Sequence, residues 1–201
     1  MKSITPDQVT AVILAGGMGR RMGGKDKGQV NLNGQPLIEF VLTAIQPQVK
    51  TIIINANRNQ ENYARYGYPV LSDQLQDYQG PLAGFAAGLQ AANTHYIVTV
   101  PCDGPMLSPD LVTRLLRALN QDEAELAVAH DGQRLQPVYA LIPVTLLGSL
   151  DVFLNSGQRK IDRWYAQHHM ALADFSNTPD TFFNINTPED RHHLEKTGLS
   201  A

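Results

Sequence analysis

Apolar residues follow two rhythms along this chain. Largely unbroken apolar or β-branched runs predict buried strands at Val9 to Ala15, carried by Val12, Ile13 and Leu14, at Thr51 to Ile54, ending at Asn55, and at Tyr96 to Val100, ending at Cys102-Asp103. Between them the spacing changes to that of a helix. Pro36 opens a helix with Leu37, Ile38, Val41, Leu42 and Ile45 on one face. Leu82, Phe85, Ala86 and Leu89 form an apolar stripe within Leu82 to Ala92. Ser108 and Pro109 read as N-cap and first residue of a helix leading into Leu111 to Leu119. Gln60 to Tyr66 suits a short helix, and Pro69 to Leu71 a short strand ending near Asp73.

Strands alternating with helices at these lengths predict βαβ crossovers, hence an α/β fold with a mostly parallel central sheet and helices on both faces. The last third is less regular. Leu126 to Ala129 and Val138 to Leu141 read as strands about a turn at Asp131-Gly132, Leu146 to Leu154 and Ile161 to His168 as helices, and Phe182 to Ile185 as a short strand. Thr187-Pro188-Glu189-Asp190 opens the final helix with capping-box spacing. This third is expected to add a small antiparallel edge and a lobe for a second substrate. Ligands of such sheets bind beyond the carboxyl ends of the strands. Gly16, Asn55, Asp73 and Asp103 each follow a predicted strand end, so one sheet edge gathers a glycine loop, an amide and two carboxylates.

The length, 201 residues, suits a single domain. A net charge of -3 speaks against general affinity for nucleic acid or membrane surfaces, so local cations are local devices. Cys102 is the one cysteine, which excludes an intrachain disulfide and suits a reducing, cytoplasmic compartment. No apolar run approaches the ~18 residues of a membrane span, and Met1 to Thr10 lacks the apolar stretch of a signal peptide. The adjacent pairs His168-His169 and His192-His193 cannot share a helix face and are expected at the surface.

The chemistry concentrates after the first strand, where glycines from Gly16 to Gly28 are interleaved with Arg20, Arg21, Lys25 and Lys27. Glycine lets backbone N–H groups approach an anion closely, and the cations add charge: a cradle for a polyphosphate. Gly19 to Lys25 fits G-x-x-x-x-G-K, but Asp26 stands where a Walker A motif needs Ser or Thr. Gly17-Met-Gly19 begins a dinucleotide fingerprint whose last glycine position is Met22. Both motifs therefore fail at a necessary position. Asp26 is one available partner for these cations and is assigned no catalytic role.

The run Leu14-Ala-Gly-Gly-Met-Gly-Arg-Arg-Met-Gly-Gly-Lys-Asp-Lys-Gly28 resembles the signature of the molybdenum cofactor guanylyltransferase family, within the sugar-nucleotidyltransferase-like enzymes. Asn55-Ala-Asn57-Arg58, Asp73, Gly80-Pro81-Leu82-Ala83-Gly84, Pro101-Cys102-Asp103 and Asn184-Ile-Asn186-Thr-Pro188-Glu189 resemble further blocks of that family, in order along nearly the whole chain. The resemblance implies one Rossmann-like nucleotidyltransferase domain over residues 1–201, with 1–105 as the nucleotide-binding part and 106–201 as the part for the pterin. It implies transfer of GMP from GTP to molybdopterin with Mg2+ as cofactor. Lys27, Asp103 and Arg21 (or Arg20) would be catalytic, with Lys27 clamping phosphate and Asp103 holding the metal. Leu14, Ala15, Gly16, Gly17, Lys27, Asn55, Asp73, Gly80 and Asp103 would contact GTP, and Arg159, Asn184 and Asn186 the molybdopterin. The implied partners are GTP, molybdopterin or its molybdenum-loaded form, and molybdoenzyme chaperones or molybdenum-insertion proteins, around a monomer.

Several of these residues have local alternatives. Asp103 also fits a turn or N-cap, Asn55 a strand-end cap, Gly80-Pro81 a simple helix start, and Arg159 a charged helix start. Guanine offers N1–H and N2–H donors, which a carboxylate such as Asp73 or strand-end carbonyls would accept. The competing functions are cytidylyl transfer to the same pterin, sugar-phosphate nucleotidyl transfer, and a GTP-binding protein that delivers molybdopterin without chemistry.

Overall fold

The computed structural model describes residues 5–15, 26–73 and 80–197. Its centre is a seven-stranded mixed sheet. In chain order the strands are β1 (Val9–Leu14), β4 (Thr51–Asn55), β5 (Val70–Leu71), β6 (Tyr96–Pro101), β7 (Leu126–His130), β8 (Leu135–Pro143) and β9 (Met170–Asp174). The short β2 (Asn31–Leu32) and β3 (Gln35–Pro36) form a separate hairpin, whose two-residue turn Asn33-Gly34 has positive φ at both positions. That conformation gives the turn a twist matching the strands it joins. Across the main sheet the order is β5-β4-β1-β6-β8-β7-β9. Neighbours are parallel except where β8 pairs with β6 and β7. The antiparallel pairing expected in the last third thus lies inside the sheet, and the edge beyond it is the parallel strand β9.

Helices cover both faces, as the spacing predicts. On one face α1 (Leu37–Ile45) and α4 (Leu111–Gln121) pack Ile38, Val41, Leu111 and Leu115 against Ile13, Ile54 and Val98, with Tyr63 of α2 (Gln60–Ala64) in the same core. On the other, α3 (Pro81–Ala91), α5 (Leu147–Asn155) and α6 (Ile161–Tyr165) bring Phe85, Phe153 and Trp164 against Val12, Ile97 and Val128. A third core joins Leu194 of α7 (Pro188–Thr197) and Ile185 to Val30, Leu32 and Leu37. This last core ties the C-terminal segment to the turn that follows the glycine loop.

Four local expectations change. The N-cap of α4 is Asp110, not Ser108, whose hydroxyl instead donates to the Asp110 carboxylate. The first turn of α4 is served from outside, by Gln48 Oε1 accepting the Val112 N–H at 3.0 Å. Phe182 to Ile185 forms no strand: a 3-10 turn, Pro179–Phe182, precedes a segment whose Ile185 N–H donates to the Asp103 carbonyl at 2.9 Å. Strand β9 was not anticipated, because its inward residues are the small Ala171 and Ala173, a weak apolar signal. The His168 side chain is largely covered rather than free at the surface, edge-on to Trp164 and 3.0 Å from Ser149 Oγ. The capping box of α7 forms as expected. Thr187 Oγ1 accepts the Asp190 N–H, and Asp190 Oδ2 accepts the N–H groups of Thr187 and Asn186.

Candidate functional site

The carboxyl ends of the central strands finish level. Leu14 is in register with Asn55 on one side and Pro101 on the other, and Asn55 with Leu71. The ladder continues one step further: the Ala15 N–H donates to the Asn55 carbonyl, the Ala56 N–H to Leu71, and the Cys102 N–H to Leu14. The residues immediately beyond therefore share one edge, where sheet hydrogen bonding stops and polar side chains take over.

One polar group forms beyond β1 and β6. Lys27 Nζ lies 2.9 Å from Asp103 Oδ2 and donates to Asn186 Oδ1 at 2.5 Å. These residues come from three distant stretches: a 3-10 turn at Lys27–Gln29, the end of β6, and the approach to α7. Asp103 is nearly buried, whereas the Lys27 side chain is only partly so. A lysine so placed can exchange a protein acceptor for a phosphate oxygen at little structural cost. Asn184 joins the group at one remove. Its Oδ1 accepts the Tyr139 hydroxyl at 2.9 Å, and its carbonyl accepts from Asn186 Nδ2 at 3.2 Å. Burial, then the charge of Asp103, pushes the Tyr139 phenol well up, so it remains a donor. Gly104 makes room for this arrangement. A Cβ there would lie 2.6 Å from the Tyr139 oxygen and 3.0 Å from Asn184 Oδ1.

A second group forms beyond β4 and β5. Asp73 Oδ1 accepts from Asn55 Nδ2 at 3.0 Å and Oδ2 from Asn57 Nδ2 at 2.7 Å, while the Asp73 N–H donates to Asn57 Oδ1 at 2.8 Å. Two amides thus orient one carboxylate, and each carboxylate oxygen keeps acceptor capacity for a further donor. Gly84, in the first turns of α3, lets the helix approach: a Cβ there would stand 2.6 Å from Asn55 Oδ1 and 2.7 Å from Leu14 Cδ2. Gly80 is the N-cap of α3 with φ of 82°, a left-handed value that glycine adopts without strain. Pro81 follows as the first helical residue, so the helix-start reading of Gly80-Pro81 holds structurally.

The predicted residues distribute as follows. Lys27, Asp103 and Asn186 are in contact, Asn184 adjoins them, and Asn55 and Asp73 are bonded to each other. Leu14 and Ala15 sit at the strand end between the two groups. Gly16, Gly17, Arg20, Arg21 and Lys25 lie outside the described residues. Arg159 lies on the segment after α5, where Nη1 donates to the carbonyls of Leu154 and Gln158 at 2.7 and 2.6 Å. It has a structural part to play there, closing the end of that helix. Among the described residues, Asp26 accepts the Tyr63 hydroxyl and the Asn59 amide, with Arg58 Nε at 3.9 Å; the cations Arg20, Arg21 and Lys25 that the sequence offers it lie outside them. Asn57, Tyr139 and Gly104 were missed. Only Asn57 carried a signal, lying two residues past Asn55 in the same block.

Cys102 is no nucleophile. Burial, followed by the charges of Asp103 and Asp26, drives its thiol well above the usual range, against a smaller opposing pull from Lys27. As for a metal, the described residues hold no group of three or more His, Cys, Asp or Glu side chains suited to an ion. A single hard carboxylate at Asp103 fits Mg2+, which binds through one or two carboxylates and completes its shell with substrate phosphate and water. It does not fit zinc, whose protein sites use three or four nitrogen, sulfur or oxygen ligands.

The sequence matches the MobA-like NTP transferase domain model over residues 11–171. It is 54% identical to the molybdenum cofactor guanylyltransferase of Shewanella loihica, covering 94% of this chain and 96% of that one. Among solved structures, molybdopterin-guanine dinucleotide biosynthesis protein A from Archaeoglobus fulgidus superposes with a TM-score of 0.78 at 24% identity, over 94% of this chain and 97% of the other. A 4-diphosphocytidyl-2C-methyl-D-erythritol synthase from Anaerococcus prevotii superposes with a TM-score of 0.73 at 14% identity, over 95% and 96%. The fold is therefore common to proteins with different names.

Proposed function

We propose, for a chain that belongs to the MobA-like NTP transferase family, that it transfers GMP from GTP to the terminal phosphate of molybdopterin, in the cytoplasm. A phosphate oxygen of the pterin attacks the α-phosphorus of GTP, and the bond from that phosphorus to the β-phosphate oxygen breaks. Pyrophosphate leaves, and a pterin guanine dinucleotide remains. The attacking phosphate is already ionised at neutral pH, so no general base is required. The task left to the protein is to hold two polyanions in line and neutralise their charge.

The contact of Lys27 with Asp103 and Asn186 beyond the ends of β1 and β6 is the observation that carries this reading. Lys27 would trade Asn186 or Asp103 for a phosphate oxygen, with Arg21 from the preceding loop as a second cation. Asp103 would hold Mg2+, which when bound neutralises triphosphate oxygens and steadies the leaving pyrophosphate. Asp73, oriented by Asn55 and Asn57, suits the paired N1–H and N2–H donors of guanine, a face that cytosine lacks. Leu14, Ala15, Gly16, Gly17 and Gly80 would bring backbone against the nucleotide. Asn184 and Asn186, reaching the same edge from the C-terminal part, would meet the pterin phosphate, with Arg159 as a further phosphate ligand.

A nucleotide screen tests the reading. GTP, CTP, UTP and ATP are each supplied with Mg2+ and molybdopterin, and pyrophosphate is measured. Release with GTP alone, dependent on both Mg2+ and the pterin, is expected. Equal release with CTP would overturn the guanine assignment. Tight GTP binding with no pyrophosphate under any condition would mark a delivery protein instead.

A further inference from the structure

Lys27 is flanked by two residues fastened to one tyrosine. Before it, the Asp26 carboxylate is buried against α2, where Oδ1 accepts the Tyr63 hydroxyl and Oδ2 accepts Asn59 Nδ2 at 2.9 Å. Arg58 Nε stands 3.9 Å from the latter oxygen. After it, Gly28 lies directly on the same tyrosine, since a Cβ there would be 2.6 Å from the Tyr63 oxygen and 3.3 Å from Cys102 Sγ. Tyr63 has no exposed surface and sits in the main core. The turn carrying Lys27 is thus pinned on both sides to a rigid post, and Cys102, the other wall of the Gly28 contact, is the neighbour of Asp103.

A buried carboxylate is costly unless hydrogen-bonded, and an apolar residue would fill the same space without that cost. What the carboxylate adds is direction. Its two oxygens accept from two separate donors on α2, which fixes the rotation and register of the turn. Burial in the first place, then Cys102 and Asp26, push the Tyr63 phenol far up, so it keeps its proton and remains a donor across the pH range of a folded protein. A slip of one residue in this turn would aim glycine, not lysine, at Asp103. Smaller errors matter too, since a displacement of about 1 Å near a reacting centre can cost about 10²-fold in rate.

We propose that Asp26 and Tyr63 are a positioning pair for Lys27. They act through the lysine and touch no substrate. The proposal rests on the reading of Lys27 as the phosphate clamp, but its geometry can be tested without nucleotide.

Two variants remove one donor each. Tyr63→Phe keeps the ring. Asn59→Gly removes the amide while accepting the native φ of 52° and leaving the core intact. In substrate-free protein, limited acetylation with acetic anhydride is followed lysine by lysine by mass spectrometry, with the exposed Lys50 as internal reference. Lys27, engaged by two acceptors, is expected to react more slowly than Lys50 in the wild type. It should gain several-fold relative to Lys50 in both variants, at melting temperatures where each is fully folded. A merely structural role raises all lysines together, or none. GTP affinity supplies a second readout: Tyr63→Phe is expected to weaken binding about tenfold in the native background and not at all in a Lys27→Ala background, because neighbours that act as one unit are not additive. A folded variant with the wild-type ratio of Lys27 to Lys50 overturns the proposal, as does an undiminished effect of Tyr63→Phe on GTP affinity after Lys27→Ala. A wild type that binds no GTP overturns the functional reading instead, and the acetylation ratio still decides on the pair.

Discussion

Asp103 is where the residue scale is most decisive. Its carboxylate is nearly buried and pairs with Lys27 at 2.9 Å, and the backbone carbonyl of the same residue anchors Ile185. Asp103→Asn keeps the backbone contact and the shape, and removes only the charge. The expected result is a fall in kcat of about 10²-fold or more, the scale of losing one electrostatic stabiliser. GTP affinity should fall much less, and the melting temperature should stay near the wild-type value because Lys27 retains Asn186 and solvent. Measuring both on one preparation separates this from a turn residue, which would melt early yet turn over normally. The sequence pointed to Lys27 and Asp103 individually. It did not reveal that Asn186, 159 positions from Lys27, would share its ammonium.

Elements here are held by polar contacts that propensity does not reveal. Gln48, buried in the 3-10 turn that follows α1, donates through Nε2 to the carbonyls of Ala44 and Ser108 and accepts the Val112 N–H in the first turn of α4. Gln48→Ala would strand these groups and is expected to cost about 1–3 kcal/mol, read as a lower denaturant midpoint at unchanged slope. The β7–β8 turn behaves differently because its anchor titrates. The N–H groups of Arg134 and Gln133 hold the half-buried Asp131 carboxyl down from 3.8 to about 2. A depressed carboxyl stabilises the fold above its unfolded value, and that contribution disappears as pH falls through the folded value. The melting-temperature advantage of wild type over Asp131→Ala should therefore persist at neutral pH and shrink between about pH 4 and pH 2. The sequence showed the turn at Asp131-Gly132 but not this dependence, which comes from how the side chain folds back on the backbone. It likewise placed the capping box of α7 correctly, since all its atoms lie within four residues, and misplaced the start of α4, where the Val112 N–H is served by Gln48 from 64 positions away.

At the scale of the molecule, the C-terminal segment closes the site through the third core. Ile185 is fully buried among Val30, Leu32, Leu37 and Leu194, between the two asparagines of the site. Ile185→Ala is expected to cost about 2–5 kcal/mol and also to lower pyrophosphate release per folded molecule, because Asn184 and Asn186 lose their support. Leu150→Ala, in the core on the opposite side of the sheet, should cost a similar amount while leaving release per folded molecule near wild type. Circular dichroism gives the folded fraction for both. Equal effects of the two on specific turnover would count against a closing role for the C-terminal segment.

Periodicity and local chemistry were enough to establish the alternation of strands and helices, the two-faced layering, and strand ends at Leu14 and Asn55 and, within two residues of the expected Cys102-Asp103, at Pro101. These depend on burial patterns and dihedral preferences that act within a few residues. The ordered blocks also carried the family, because each records a local requirement of the same fold and site. Tertiary structure alone decided which of those residues touch: that Lys27 meets both Asp103 and Asn186, that Asn55 and Asn57 clamp Asp73, that Asp26 accepts the Tyr63 hydroxyl, and that β8 lies within the sheet with β9 at its edge. Each of these is a meeting of segments far apart in sequence, chosen by how the apolar faces stack, and no local pattern encodes which distant partner the packing will deliver.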